Sequence, residues 1–420
     1  MEALSRKQFL GGAAAGAALV AGCGHARRPQ RDTRSVEVGD WASVKAAYPL
    51  DPRYRHFAGF LLAAHPAPVR AAIERHRDAL DRDPVGYLFE HERELDAAVT
   101  GAAAAHLGVP AAQVALTDST TMGLALVYRG LLGPRDEVLT SEHDHYATHE
   151  ALRLTGARVR RVRLYDDPRR ADAGEIVARV RRGMTRRTRL VALTWVHSSS
   201  GVKLPLAQIA EAVRGRALLA VDGVHGLGAE PADVRALGCD VLAAGCHKWL
   251  GGPRGTGIVW AADAWKDVAP LIPTFDGRAY AAWVTGDDQT VPPGPLHTPG
   301  GFHSFEHRWA LADAFALQAK IGQDRIAARV HELAGRLRTG LAEIRGVRLR
   351  TPASPELSAG IVCCELEAVR PGEAVRRLRD EHRVIASVTP YATEYLRFGT
   401  GLMNDEADVD AALEAVRALT

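Results

Sequence analysis

The sequence predicts an α/β fold built on a largely parallel sheet with helices on both faces. Between residues 100 and 262, short apolar runs that suit strands alternate with helical stretches, such as residues 121–132 and 206–214. Alternation of this kind indicates a parallel sheet, because each helix returns the chain to the edge from which the previous strand started. The candidate strands are residues 113–117, 137–140, 158–164, 188–196, 217–222, 240–244 and 257–261.

A Pro/Gly-rich stretch at residues 291–301 interrupts this pattern. We therefore predict a large domain with an N-terminal arm over residues 36–300, and a linking helix with a smaller α+β C-terminal domain over residues 301–420. One long helical segment is expected at residues 304–344. The elements expected after it are strands at 360–366 and 395–399 and helices at 372–382 and 406–418.

The first 24 residues are typical of an export signal. Arg6 and Lys7 form a basic start, an Ala/Gly-rich apolar run follows, and Cys23 ends a Val-Ala-Gly-Cys sequence that resembles a bacterial lipobox. Residues 5–10 resemble the twin-arginine export motif, with Lys7 in place of the second arginine. We expect export to the periplasm or cell envelope, a lipid anchor at Cys23 and a basic tether over residues 25–35. The alternative is an uncleaved N-terminal helix of a cytoplasmic protein.

Length, composition and cysteine spacing favour a two-domain globular protein and give no sign of a nucleic-acid partner or a metal site. The length of 420 residues suits two domains, and 47% apolar with 25% charged residues is ordinary for a globular chain. A formal net charge of +3 gives no reason to expect a nucleic-acid partner. The five cysteines lack the spacing of metal ligands, so no metal site is predicted. Cys363 and Cys364 lie in an apolar strand-like run, where we expect them to pack in the core.

Two residues at neighbouring strand ends carry the chemistry. Asp222 ends the candidate strand 217–222, and Lys248 follows the next one, 240–244. Parallel neighbours end at the same edge of a sheet, so the two side chains can face one site. Pyridoxal 5′-phosphate (PLP) requires this pair: the amine forms a Schiff base and moves protons, and the carboxylate keeps the pyridine nitrogen protonated. Each residue alone is a weak signal, but His247 and the Gly-rich residues 252–257 strengthen it.

These residues resemble those of the class-V aminotransferases of PLP fold type I, which include cysteine desulfurases and isopenicillin N epimerase-like proteins. The likeness runs from about residue 55 onward. Gly-Cys-His-Lys-Trp-Leu at 245–250 and Asp-Gly-Val-His at 222–225 are most similar to the epimerase-like branch. The resemblance implies a seven-stranded, mostly parallel sheet, PLP as cofactor, an amino acid or amine as small-molecule substrate, and a homodimer.

The resemblance also implies a cradle for the cofactor phosphate. Ser119, Thr120 and Thr121 end a candidate strand and open a helix, and backbone N–H groups at a helix start bind anions. His247 is a further expected phosphate contact. From the residues alone, a plain Ser/Thr N-cap explains the same turn.

Further roles follow from the same resemblance. His145 would stack on the cofactor ring, with His143 and Tyr146 as alternatives in an adjacent register. Ser198 would bond the cofactor's phenolic oxygen, and His225 would support that oxygen. With Lys248 and Asp222, His145 completes the predicted catalytic set.

Arg397 matches the family's arginine that lies near an asparagine and binds the substrate carboxylate. The bidentate geometry of a guanidinium suits a carboxylate.

Three features depart from the family pattern. Residues 386–393 contain no cysteine where desulfurases carry their nucleophile, so we reject a desulfurase. Gly245 replaces a frequent phosphate-binding serine, and residues 301–304 lack the usual threonine that reaches the neighbouring subunit.

The predicted function is therefore that of a PLP-dependent enzyme acting through Lys248, with aminotransferase chemistry first. An amino-acid epimerase or a carbon–sulfur lyase is the alternative on the same fold. An exported lipoprotein that only binds a ligand is the alternative from a different class.

Overall fold

Thirteen strands form three sheets in the computed structural model, which describes residues 36–287 and 290–420. The predicted export signal, residues 1–24, and the tether, residues 25–35, lie outside these described residues. The strands are β1 (Arg55–His56), β2 (Val114–Thr117), β3 (Glu137–Ser141), β4 (Arg158–Val162), β5 (Thr188–Thr194), β6 (Leu218–Asp222), β7 (Val241–Gly245), β8 (Gly257–Ala261), β9 (Val347–Leu349), β10 (Ile361–Leu366), β11 (Val384–Ile385), β12 (Ser387–Val388) and β13 (Leu396–Gly399).

The largest sheet has seven strands in the order β2-β8-β7-β6-β5-β3-β4. Six of them run in one direction, and only β8 is antiparallel to its neighbours. All seven strands predicted from the sequence are present, so the predicted seven-stranded, mostly parallel sheet is confirmed. Two strands end earlier than predicted, β4 at Val162 and β5 at Thr194.

Fourteen α-helices are present among the described residues, and those of the large domain cover both faces of this sheet. They are α1 (Trp41–Ala46), α2 (Ala67–Arg82), α3 (Pro84–Leu107), α4 (Thr120–Leu131), α5 (Tyr146–Arg153), α6 (Ala173–Gly183), α7 (Leu206–Val213), α8 (Val234–Leu237), α9 (Gly277–Thr285), α10 (Pro293–His297), α11 (Phe305–Ile321), α12 (Gln323–Ala342), α13 (Pro371–His382) and α14 (Glu406–Arg417). None of the described helices is both long and apolar enough to cross a membrane.

Alternate strand residues supply two separate hydrophobic cores. Leu219 and Val221 of β6 pack with α2, α3, α7 and α11, whereas Ala220 between them packs with α4 and α5. This split follows from the two-residue period of a strand, which sends successive side chains to opposite faces. The prediction of helices on both faces is therefore confirmed.

The C-terminal part forms a smaller α+β domain, as predicted. Its antiparallel sheet has the order β12-β13-β10-β9, and α12, α13 and α14 pack against it around a third core. Phe57 belongs to that core, and β1 pairs in parallel with β11. The N-terminal segment thus contributes to the C-terminal domain, while the predicted boundary at residues 300/301 stays a prediction.

The helical segment expected at residues 304–344 is two helices, so the prediction of one long helix is wrong. α11 ends and α12 begins at Gly322, whose φ is +95°. A glycine adopts such an angle at little steric cost, and the helical hydrogen-bond pattern cannot continue through it. The apolar periodicity runs on across the break and conceals it in the sequence.

Candidate active site

The predicted site residues of the large domain lie in the turns that follow parallel strands. His145 follows β3, Ser198 follows β5, His225 follows β6 and Lys248 follows β7. All four strands run in the same direction, so these turns meet at the carboxyl edge of the sheet, where ligands bind in open α/β folds. Ser119 follows β2, which points the same way.

Asp222 and Lys248 influence each other's protonation. Asp222 is buried, and its Oδ1 accepts a hydrogen bond of 3.0 Å from the Val224 amide. Burial raises the pKa of Asp222 to about 6, against the opposing effects of that amide and the Lys248 charge. Burial lowers the pKa of Lys248 to about 8, with Asp222 opposing the shift and Arg397 adding to it. The structure therefore brings together the two groups that the sequence predicted would share a site.

The amine of Lys248 has one close side-chain partner among the described residues. Its Nζ lies 3.4 Å from Nε2 of His225, and the Trp249 indole N–H donates to Nδ1 of the same ring at 3.3 Å. His225 is buried, and burial followed by the Lys248 charge holds its pKa well below the usual range. His225 is thus a neutral imidazole in direct contact with the lysine.

The predicted phosphate turn opens helix α4. Ser119 is its N-cap, with Oγ accepting from the Met122 amide at 3.2 Å, so the N-cap interpretation is correct for this residue. Thr120 is buried, and its Oγ1 accepts from the Gly245 amide at 2.7 Å. Thr121 is exposed. The turn therefore presents hydroxyls and free backbone N–H groups at a helix start.

His247 lies beside this turn. Its Nδ1 is buried and has no hydrogen-bond partner among the described residues. A Cβ atom at Gly245 would lie 2.9 Å from Cε1 of His247 and 3.0 Å from Oγ1 of Thr120. A serine at position 245 would therefore press against the His247 ring and the Thr120 hydroxyl, and one of them would have to shift.

Of the three alternatives for the ring-stacking residue, the structure places only His145 near Lys248. His145 is half-buried, accepts from the Ala147 amide through Nδ1 at 3.2 Å, and has its pKa lowered by burial and by the charges of Lys248 and Arg397. His143 stacks on Tyr165 with ring centroids 3.8 Å apart. Tyr146 is 71% exposed.

Arg397 is buried and holds Ser198 across the domain interface. Its Nη1 donates to the Ser198 carbonyl at 2.9 Å, its Nη2 to the Val388 carbonyl at 3.3 Å, and its Nε to Oγ of Ser387 at 3.1 Å. A guanidinium has five N–H donors, so one N–H on each Nη remains for another acceptor. Those two N–H groups match the two oxygens of a carboxylate. Asn404 instead bonds backbone groups of Gly401 and His56.

Two residues that the sequence did not single out complete the surroundings of Arg397. The ring of Phe60 lies 4.7 Å from Cζ of Arg397. The hydroxyl of Tyr391 lies 2.7 Å from Oγ of Ser198, and its ring meets that of His145 edge-on at 6.4 Å. Burial raises the pKa of Tyr391 to about 12, so it is a protonated phenol at neutral pH. Tyr391 lies in the loop 386–393, where desulfurases carry their cysteine. That position is the feature of the sequence that could have identified Tyr391 as a site residue.

Cys363 and Cys364 pack in the core, as predicted. Both are fully buried in β10, and burial raises the pKa of both thiols, that of Cys363 to about 12. A desulfurase needs a mobile, exposed thiolate, which neither residue provides.

The model of the family described as "Aminotransferase class-V" matches residues 97–411. The chain belongs to the class-V aminotransferase family. Members of this family are PLP-dependent enzymes, which fits the buried lysine and aspartate at the sheet edge. The predictions of the family, of a PLP-dependent enzyme and of PLP as cofactor are thereby confirmed.

Relatives of this family member include enzymes of two activities. It is 29% identical over 407 residues to isopenicillin N epimerase of Streptomyces clavuligerus, covering 92% of this chain and all of the relative. It is 27% identical over 318 residues to a probable cysteine desulfurase of Halalkalibacterium halodurans, covering 71% of this chain and 75% of the relative.

The fold is also that of a solved PLP enzyme. The complex between the cystine C–S lyase C-DES and its reaction product cysteine persulfide aligns with a TM-score of 0.79 and 21% identity, over 88% of this chain and 98% of the other. A second C-DES structure, a mutant with glycine covalently linked to the PLP cofactor, aligns with a TM-score of 0.80. The likeness confirms the predicted fold class.

Proposed function

We propose that this PLP enzyme moves the Cα proton of an α-amino acid, with epimerisation as its reaction. The observation that carries the proposal is the meeting of Lys248, Asp222 and Arg397 at one site: a depressed-pKa amine, a buried carboxylate and a guanidinium with two free N–H groups. Such a set holds an amino acid by its carboxylate while an amine works at the neighbouring carbon.

The residues present fit the cofactor. His247 has a buried, partnerless Nδ1 beside the N-terminus of α4, which suits a phosphate. Thr120, Ser119 and Thr121 would supply further donors, Asp222 would face the ring nitrogen, and Ser198, His225 and His145 would surround the ring. When bound there, PLP supplies an electrophilic carbonyl and a ring that accepts electrons from Cα.

In this proposal the chain's own groups divide the work. Arg397 binds the substrate carboxylate and is kept in place by Ser387 and by the carbonyls of Ser198 and Val388. Lys248 removes the Cα proton as a neutral amine. Tyr391 is the second proton carrier, because it is a protonated phenol next to Ser198. Lys248 and Tyr391 come from different domains. One of them can therefore accept the proton from Cα while the other donates a proton back to it.

Epimerisation is favoured over the two other outcomes by the comparison with relatives. Isopenicillin N epimerases of Streptomyces clavuligerus and Amycolatopsis lactamdurans match over 100% and 98% of their lengths. Among the alternatives, transamination requires the proton to go to the cofactor, and carbon–sulfur cleavage requires a sulfur leaving group on the substrate. A desulfurase reaction also needs a thiolate that loop 386–393 lacks.

The test uses the full chain with added PLP and a panel of L-α-amino acids in D₂O. We expect deuterium at Cα together with the D-enantiomer and without keto acid. Keto acid formed in the presence of a second keto acid would support transamination instead, and pyruvate with a released thiol would support a lyase. A chain that takes up no PLP and exchanges no Cα proton would contradict the proposal and favour a ligand-binding protein.

Uptake of PLP by the cofactor-free chain should depend on pH. Only the neutral amine attacks the cofactor, and the pKa of Lys248 is lowered to about 8. The attachment rate should therefore rise about tenfold per pH unit below pH 8 and level off above it. For a lysine of ordinary pKa, the rate would continue to rise up to about pH 10.4. Stopped-flow absorbance of the bound cofactor measures the midpoint. A continued rise beyond pH 10 would contradict the lowered pKa.

Replacing Tyr391 with phenylalanine separates its role from that of Lys248. The ring against His145 remains and only the hydroxyl is lost, so PLP binding and Cα deuterium exchange by Lys248 should persist. Formation of the D-enantiomer should fall by about 10²-fold, the scale of one general acid. Chiral chromatography and mass spectrometry of the same samples measure both rates. Equal losses of exchange and inversion would contradict a separate proton carrier.

We also propose that the chain forms a homodimer. Large apolar side chains are exposed along residues 271–302, among them Phe302 at 97% and Phe275 at 65%. Leu271 and Ile272 of this stretch border Thr117 at the end of β2, which precedes the predicted phosphate turn. Exposed apolar patches of this kind mark association sites. Sedimentation velocity should show a dimer that Phe302→Asp dissociates, and a monomer at micromolar concentration would contradict it.

The N-terminal sequence supports two further proposals, export and a lipid anchor at Cys23. The basic start, the apolar run and the lipobox-like sequence occur in the order that such signals require. Mass spectrometry of the protein from its native cells tests both at once. We expect an N-terminus at Cys23 that carries lipid, and an intact residue 1 in the cytoplasmic fraction would contradict export.

A further inference from the structure

Trp249, His225 and Lys248 form a chain of contacts that ends at the reactive amine. The Trp249 indole N–H donates to Nδ1 of His225 at 3.3 Å, and Nε2 of His225 lies 3.4 Å from Nζ of Lys248. Trp249 and His225 are both buried. Water therefore does not compete for the contact between Trp249 and His225, and the hydrogen-bonding capacity of each atom decides its arrangement.

The indole decides which nitrogen of His225 carries a proton. An indole N–H is a donor only, so Nδ1 must offer a lone pair. This requirement excludes the imidazolium, which has N–H on both nitrogens, and the neutral tautomer with hydrogen on Nδ1. The remaining form carries its hydrogen on Nε2, and that hydrogen points towards Lys248.

The protonation of His225 in turn affects Lys248. An ammonium group has three donors and no acceptor, so it repels an Nε2–H that faces it. A neutral amine has a lone pair and accepts that N–H. The contact at 3.4 Å therefore favours the neutral amine over the ammonium.

We propose that Trp249 is a positioning residue that holds His225 as its Nε2–H tautomer and thereby keeps Lys248 as a neutral, nucleophilic amine. The inference deepens the proposed function, since a nucleophilic amine is what PLP attachment requires, and its purpose rests on that proposal. Its chemistry involves only these three side chains.

Packing fixes the indole in the orientation that this role needs. Trp249 stacks on Phe60 with ring centroids 6.1 Å apart and planes at 23°. A Cβ atom at Gly360 would lie 2.5 Å from Cη2 of the indole, so that glycine lets the ring lie against the backbone of the C-terminal domain. The indole N–H is therefore held towards His225 from both sides.

Other groups around Lys248 also bias its protonation, and the test must separate them from Trp249. Asp222 favours the ammonium, and Arg397 disfavours it. The charge of Lys248 in turn lowers the pKa of three histidines around it. The titratable groups that face Lys248 are Asp222, His145, His225, His247 and Arg397. Of these five groups the indole N–H contacts His225, so the loss of that N–H acts on Lys248 through His225 and leaves the other four groups in place.

The experiment replaces Trp249 with phenylalanine and measures Lys248 in the full chain without cofactor. Cyanate carbamylates neutral amines, so the rate at Lys248, followed by mass spectrometry between pH 6 and 10, gives the pKa of the amine. Without the indole, His225 can adopt the tautomer with its hydrogen on Nδ1, and its Nε2 lone pair then accepts a hydrogen bond from the Lys248 ammonium. We expect the midpoint to rise by about one pH unit, which is about tenfold slower carbamylation at pH 7.

Trp260→Phe is the matched control. Trp260 of β8 is also buried, and its indole N–H donates to Oε1 of Gln113 at 3.0 Å rather than to a residue of the site. Its variant should leave the Lys248 midpoint unchanged. Equal midpoints in Trp249→Phe and the unsubstituted chain, or equal shifts in both variants, would overturn the proposal.

A second measurement needs no substitution at Trp249 and covers the case in which that variant does not fold. ¹⁵N-histidine NMR distinguishes the two tautomers, and the His225 signal is assigned by its loss in His225→Asn. We expect a proton on Nε2 and a bare Nδ1, and a proton on Nδ1 would overturn the inference. Because neither measurement uses PLP, a chain that binds no PLP but shows the midpoint shift would defeat only the proposed function.

Discussion

Replacing Lys248 with arginine should reduce turnover by at least about 10³-fold while leaving the fold intact. Arginine retains a long basic side chain beside Asp222 and His225, so the fold around the site should be kept. A guanidinium, however, stays protonated at any accessible pH and cannot act as nucleophile or base. We therefore expect lost chemistry with retained structure. Cα deuterium exchange, thermal unfolding and cofactor absorbance together measure these effects.

The matched control for this variant is Lys203→Arg. Lys203 is also largely buried, but its ammonium pairs with Glu230 at 2.8 Å, and arginine preserves that ion pair. Its variant should keep exchange within about threefold of the unsubstituted chain, as substitutions away from a site do. If Lys248→Arg retained a comparable rate, another group would have to be the base, and the assignment of Lys248 would be wrong.

Much of the fold could be predicted from the sequence, because strand and helix signals are local. Most of the runs that became β2 to β8 are short and apolar, and burial on both sheet faces accounts for the continuous apolar character of strands such as β2, β5 and β6. Asp222 and Lys248 could be paired for the same reason, since parallel strands end at one edge. The break at Gly322 was missed because one glycine inside a periodic segment does not by itself end a helix.

The missed parts of the site depend on contacts between distant segments. Phe60 comes from the N-terminal segment and Tyr391 from the C-terminal domain, yet both lie against residues of one site. Phe60 belongs to no motif with fixed spacing, and Tyr391 could be indicated only by its place in the loop where desulfurases carry their cysteine. Trp249 was visible next to Lys248, but its role depends on where the indole N–H points, which only the folded arrangement determines.

Ser198 joins the two domains at the site. Its carbonyl accepts from Arg397 and its hydroxyl pairs with Tyr391, and both of these partners come from the C-terminal domain. A substrate carboxylate at Arg397 would therefore be placed relative to the large domain by the same contacts that join the domains. In the proposed function, substrate binding at Arg397 would be linked to the position of the C-terminal domain, and Arg397 is the residue at which that link can be tested.

Replacing Arg397 with lysine should lower kcat/KM by about 10²-fold for amino acids, because it removes about two charge-assisted hydrogen bonds of 1.5–3 kcal/mol each, partly offset by the remaining charge. The loss should appear mainly in KM if carboxylate binding is uniform through the reaction. An amine without a carboxylate should lose less than about threefold, since it makes no use of the free N–H groups.

The control for that variant is Arg329→Lys. Arg329 is also buried, but it pairs with Glu406 and Glu332 on the C-terminal helices. The comparison of substrates decides between binding and structure: collapse of the Ser198 and Val388 contacts would slow both substrate classes equally. A loss confined to carboxylate-bearing substrates is the result that assigns the two free N–H groups to the carboxylate. An equal loss for the amine would make Arg397 a structural link between the domains and leave the carboxylate to be bound elsewhere.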